Sequence, residues 1–248
     1  MNKELKVLSI GNSFSQDAQR YLHQIAKADG TKLKAVNLYI GGCPLHKHFI
    51  NINNDSRAYS LEFNGRSTGF FVSVKEALQS DMWDFVTLQQ VSHLSTDYSS
   101  YQPYLIELAE YINYHSPKSE IIIHQTWAYE EGSDKLRTLM GYNTSADMFA
   151  DVKSAYEKAA GDIGGARIIP AGETMLSLSE AVDAKVHRDT YHADLGFGRY
   201  AIGLTWYEML TGMNCKNVEF SEFDVEVSPE IARIAAETAH KVVSSYMR

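Results

Sequence analysis

The stretch "VLSIGNSFSQDA", Val7 to Ala18, runs from apolar residues through a glycine into an asparagine and a serine, and then into a helical pattern. It has the form of a strand, a tight turn and a helix. Ser13 in that turn has two readings. Its oxygen can accept a hydrogen bond from an unpaired N–H in the first helical turn, which makes it a cap. It can equally be a nucleophile held at the end of a strand, and both roles can coexist. What else the chain delivers to the same place separates them.

Outward from this stretch, apolar runs recur at Leu5–Ile10, Leu33–Ile40, Asp84–Gln89, Glu120–Gln125 and Arg167–Ala171. Several are continuous rather than alternating, as expected of strands buried on both faces of a parallel sheet. Helical periodicity separates them. Ala18, Leu22, Ile25 and Ala26 share one face before Gly30, and similar patterns cover Tyr101–Tyr114, Ala146–Ala160, Gly198–Leu210 and Pro229–Tyr246. Ser228 and Pro229 read as the cap and first position of the last helix. The expected fold is α/β, a three-layer doubly wound (flavodoxin-like) parallel sheet of about five strands. Between the second and third strands, "SRAYSLEFNGRSTGFFVS", Ser56–Ser73, has two β-prone arms around Asn64-Gly65 and predicts an inserted β-hairpin. Following the second strand, it is expected to rise from the sheet's carboxyl rim. No repeat, low-complexity tract or linker divides residues 1–248, so a single domain is expected.

The formal net charge of -8 and the lack of a Lys/Arg cluster argue against a nucleic-acid partner. No segment is long and apolar enough to span a bilayer. A core-like strand so soon after Met1 leaves no room for a signal peptide, so a cytoplasmic location is expected unless an export segment has been removed. Cys43 and Cys215 could form at most one disulfide. Cys43, His46 and His48 match no standard zinc spacing, and no metal is expected there.

In open α/β sheets ligands sit beyond the carboxyl ends of the strands. There the chain places Gly11-Asn12-Ser13, Gly41-Gly42-Cys43, Gln89-Gln90 and His124-Gln125-Thr126-Trp127. Near the C-terminus, "HRDTYHADLGFGRYAIGLTWYEMLTG", His187–Gly212, puts Asp189 and His192 in a loop before a helix. A serine, a glycine turn, an amide and an Asp/His pair are the parts that acyl transfer requires: nucleophile, oxyanion donors, base and orienting carboxylate. Trp127 and Tyr129 could form a sugar-stacking platform or serve packing. His187 and His192 compete as base, and Asp194 reads as a surface carboxylate or helix cap. Trp206 and Tyr207 read as core.

These blocks resemble those of SGNH/GDSL-type hydrolases. "GNSFS" is similar to the block holding the serine nucleophile, "IGG" to the glycine block and "RDTYH" to the late Asp-x-x-His block, in the family's order and across nearly the whole chain. Two departures stand out: Asn12 replaces the aspartate of GDS-type members, and "LQQVS" replaces the Gly-x-Asn-Asp block. The latter resembles the His-Gln-Gly-Glu-Ser pattern of SGNH-like carbohydrate acetylesterases, whose glutamine amide serves as oxyanion donor. The resemblance implies Ser13 as nucleophile, His192 as base and Asp189 as its orienting group. It also implies the N–H groups of Ser13 and Gly42 and the amide of Gln89 as oxyanion donors, with Gln90 as fallback donor or substrate contact. The implied activity is a serine esterase without cofactor, removing acetyl or another small acyl group from a small-molecule or glycan ester. Alternatives are a lipase- or thioesterase-like hydrolase of longer acyl esters and a non-catalytic carbohydrate-binding protein.

Overall fold

The computed structural model describes residues 3–247. Its sheet has seven strands in the order β4-β3-β2-β1-β5-β6-β7. Five of them are parallel: β1 (Leu5–Gly11), β2 (Leu33–Tyr39), β5 (Phe85–Leu88), β6 (Glu120–His124) and β7 (Ile168–Ile169). The hairpin strands β3 (Tyr59–Phe63) and β4 (Arg66–Val72) extend this sheet antiparallel to β2, bringing the expected five strands to seven.

Alternation along each strand sorts side chains to opposite faces. Val7, Leu33 and Ala35 point to one core, where they meet α1 (Ser13–Gln19), α2 (Leu22–Ala28), α7 (Ala171–Ala181), α8 (Phe197–Thr211) and α9 (Pro229–Tyr246). Leu8, Ile10, Val36 and Leu38 point to the other, covered by α3 (Leu45–Asn53), α4 (Val74–Gln79), α5 (Tyr104–His115) and α6 (Ser145–Asp162). The order reverses at β1, which has β2 on one side and β5 on the other. A doubly wound sheet opens its ligand crevice at such a point.

Several expected boundaries shift. The first helix breaks after Gln19 into α1 and α2, and the last strand shrinks to Ile168–Ile169. Among the described residues three α-helices have no counterpart in the periodicity reading: α3, α4 and α7. For α4 a signal was present, because Ser73 and Glu76 form a capping box in which each side chain bonds the other's backbone N–H. The last helix begins as expected, with the Ser228 hydroxyl accepting from Ile231 N at 3.2 Å. Cys43 and Cys215 are free, buried thiols, so the disulfide left open by the sequence is not formed. Among the described residues no helix is long and apolar enough to cross a membrane.

The hairpin does not rise from the carboxyl rim. Val36 pairs with Phe63 and Tyr39 with Ser60, so the Asn64-Gly65 turn lies at the amino end of β2, away from Ser13. Asn64 (φ 50°) and Gly65 (φ 77°) take the left-handed conformations that suit such a turn. Asn64 also exchanges bonds with Ala35, its N–H donating to the Ala35 carbonyl and its Oδ1 accepting the Ala35 N–H. A Cβ on Gly65 would come within 2.3 Å of the Arg20 carbonyl oxygen. Gly65→Ala is therefore expected to lower unfolding free energy by about 2 kcal/mol, through strain and overpacking together, in urea unfolding. Because the turn is remote from Ser13, any hydrolytic KM should remain unchanged.

Candidate functional site

The carboxyl ends of β1 and β2 and the loop before α8 enclose a cleft of about 480 Å³, lined by Asn12, Ser13, Gly42, Tyr129, Tyr191 and His192 among others. Ser13 is the first residue of α1. The cap is Asn12 instead, whose Oδ1 accepts from Phe14 N at 3.0 Å, so the capping reading of Ser13 passes to its neighbour. The Ser13 hydroxyl is left free to face His192, with Oγ 2.8 Å from Nε2. On the other side of the ring, Nδ1 is 2.8 Å from Asp189 Oδ2, while Asp189 Oδ1 accepts the backbone N–H of His192 at 3.0 Å. Burial pushes the Asp189 carboxyl up, but these two bonds outweigh it and hold its pKa below the usual carboxylate value.

The loop carrying this pair is a tight reversal. His187 bridges Ala193 antiparallel, Arg188 N donates to His192 O at 3.0 Å, and Thr190 has a φ of 78°. A β-branched residue in that region is strained, so the surroundings must hold the loop in place. The main restraint comes from α1. Asp17, with no exposed surface, accepts from Arg188 Nη1 at 2.9 Å, from Arg199 Nε at 2.8 Å and from the backbone N–H of Ala193 at 3.2 Å. α1 in turn is moored to a polar strip of the sheet: Ser15 Oγ donates to Asn37 Oδ1 at 2.8 Å and Gln19 Nε2 to Ser9 Oγ at 2.6 Å. Asp17, Arg188 and Arg199 were not singled out in the sequence. The only available sign was a charged residue on the otherwise core-facing side of a short helix.

Three expectations for individual residues change. Gln89 does not reach the cleft; its Nε2 donates to Asn12 Oδ1 at 2.7 Å, and its Oε1 lies 3.0 Å from His124 Nδ1. Burial lowers the His124 pKa to about 3, so the neutral ring supplies the N–H for that bond. Gln90 is likewise buried and committed, accepting from Leu45 N and Val91 N and donating to Ser100. Two adjacent buried amides satisfied their hydrogen bonding within the protein, which is why neither faces a ligand. Trp127 has no exposed surface and cannot stack a sugar; it packs on Phe14 with centroids 4.1 Å apart and donates from Nε1 to Tyr191 O at 2.7 Å, bracing the His192 loop from beneath.

The remaining candidates have other partners. Asp194 accepts from Gly196 N and Gly198 N at the start of α8, and among the described residues its hydrogen bonds do not include His192. His187 lies with Nε2 3.1 Å from the Ala128 carbonyl, and burial lowers its pKa. His48 Nδ1 is 2.9 Å from the Tyr59 hydroxyl, and burial followed by the nearby His46 lowers its pKa to about 3. Among the described residues no group of three or more His, Cys, Asp or Glu side chains is arranged to hold a metal ion. Gly42 lines the cleft with a φ of 60°. Among the described residues no protein acceptor takes the N–H of Gly42 or of Ser13.

This architecture is the SGNH/GDSL-type hydrolase fold. It is shared with an SGNH-hydrolase candidate from Slackia heliotrinireducens (23% identity, 83% of this chain and 98% of that one, TM-score 0.60). An acetylxylan esterase from Geobacillus stearothermophilus also has it (13% identity, 87% and 98%, TM-score 0.52). The chain belongs to the family described as Domain of unknown function (DUF4886), which it matches over residues 6–242. A DUF4886 family protein from Bacteroides uniformis is 34% identical over 98% of this chain and 95% of its own, with a TM-score of 0.91. A comparison with curated proteins yields no match.

Removing the Asp17 charge leaves two guanidiniums short of their shared partner. Asp17→Asn is expected to lower unfolding free energy by about 3 kcal/mol in urea unfolding. Amide exchange at Ala193, whose N–H the carboxylate accepts, should accelerate in the same variant.

Proposed function

We propose that the chain is a serine ester hydrolase that removes acetyl or another small acyl group from a carbohydrate or related metabolite. The observation that carries this reading is the continuous line from Ser13 Oγ through the His192 ring to Asp189, with 2.8 Å at each junction, opening on a cleft. A capping or packing serine needs no such partners. Two solved structures with this fold are acetylxylan esterases, which supports an acetyl ester on a sugar as substrate class.

In this mechanism Ser13 Oγ attacks the ester carbonyl carbon while its proton passes to His192 Nε2. The carbonyl π pair moves onto oxygen, and the N–H groups of Ser13 and Gly42 stabilise the developing charge. Asp189 holds Nδ1–H toward itself, presents Nε2 to the serine and stabilises the imidazolium. As the carbonyl re-forms, the alcohol leaves with the proton from Nε2, and the acyl group remains on Ser13. Water then attacks the acyl carbon, giving its proton to His192; the Ser13 Oγ–acyl bond breaks, Oγ takes the proton back from Nε2, and the acyl group leaves as the carboxylic acid. No step draws on a cofactor. Gln89 acts one bond away from the cleft, as the residue that orients Asn12.

A fluorophosphonate probe should label Ser13 alone; absence of labelling in folded protein would favour a binding module instead. Ser13→Ala should reduce kcat by up to about a million-fold without loss of fold. Asp189→Asn should lower kcat at least about ten-fold, whereas Asp194→Asn, which keeps an acceptor for the α8 amides, should stay within about a factor of three. The reverse order for the two aspartates in steady-state kinetics would remove His192 and Asp189 from the mechanism.

A further inference from the structure

Resting on the esterase reading, we infer that the substrate carries an anionic group on the alcohol side of the scissile ester, and that Lys135, which lines the same cleft as Ser13, receives it. The cleft beside Ser13 is lined by Lys135 and Arg188 but by no Asp or Glu, although the chain as a whole has a net charge of -8. The carboxylates of Glu130, Glu131, Asp134 and Asp189 line a neighbouring groove, and Lys135 stands on the border between the two, lining both. A cavity that collects one sign of charge on a surface dominated by the other focuses the field on the ligand.

Lys135 differs from the other cations around it. Arg188 is committed to Asp17 and to the Ala193 carbonyl, and Lys185, outside the cleft, pairs with Glu130 at 2.7 Å. Among the described residues Lys135 has no carboxylate partner. Its Nζ sits 3.8 Å above the centre of the Tyr191 ring, and that ring lies 4.1 Å from the His192 ring. The aromatic face holds the ammonium in place without neutralising it, leaving N–H donors for a ligand. Because Lys135 and Ser13 line one cleft, an ester seated with its carbonyl against Ser13 can turn a carboxylate or similar anion on its alcohol portion toward this ammonium. The substrate class is therefore an acylated, acid-bearing alcohol rather than a neutral ester.

The test compares para-acetoxybenzoate with the neutral, similarly shaped para-acetoxybenzamide, each kcat/KM being divided by the ester's hydroxide-catalysed rate constant. The wild-type protein should prefer the anionic ester about five-fold at low ionic strength, mainly through KM, and the preference should fade as salt is added. Lys135→Gln should bring the ratio to about one, and Lys135→Glu should reverse it. Equal use of both esters by the wild type would overturn the inference and leave the esterase reading standing. A preference that survives in Lys135→Gln would overturn the assignment to Lys135. Hydrolysis of neither ester by folded protein would overturn both readings.

Discussion

The Asp17 carboxylate, shut away from solvent between Arg188 and Arg199, ties the helix that carries Ser13 to the loop that carries His192. These residues come from opposite ends of the chain, and nothing local holds them in register. α1 has only seven residues, and most of its sequence, SFSQDAQ, is polar. A helix so short gains little from propensity and cannot be held by an apolar stripe alone. Ser15 and Gln19 moor it to the sheet, and Asp17 fastens the loop to it. Buried ion pairs add little net stability, since desolvation offsets most of the attraction. Their contribution here is geometric: in the proposed mechanism a displacement of about 1 Å between Ser13 and His192 would cost about a hundred-fold in rate.

A second chain of bonds sets the other half of the cleft. His124 holds the Gln89 carbonyl oxygen, the Gln89 amide nitrogen donates to Asn12 Oδ1, and Asn12 Nδ2 donates to the Cys43 carbonyl at 3.1 Å. Asn12 thereby joins the serine turn to the Gly41-Gly42 turn, between the two N–H groups proposed as oxyanion donors. An amide fits this position because it both donates and accepts; an ionised aspartate would turn an acceptor toward the Cys43 carbonyl. The departure of Asn12 from the GDS pattern thus has a local physical reason.

Some features of this protein were determined by sequence alone. Continuous apolar runs separated by helical periodicity imposed the three-layer sheet, and the strand-to-helix turn put Ser13 at its carboxyl edge. The loop before α8 offered two histidines and two aspartates, and the Asp-x-x-His resemblance picked out Asp189 and His192 among them; the hairpin and the capped start of α9 were legible from the residues alone. What tertiary structure decided has a common cause: each feature is a choice among partners distant in sequence. Either glutamine could have faced the cleft until burial obliged both to bond inward. Trp127 could have stacked a ligand until the His192 loop closed over it. The hairpin turn could have stood beside Ser13 until antiparallel pairing with β2 carried it to the far end of the sheet. Periodicity reports which face of an element is buried, whereas the partner of a buried Asp17 or Gln89 is set only when separate elements pack, because hydrogen bonds and ion pairs depend on positions in space rather than on spacing along the chain.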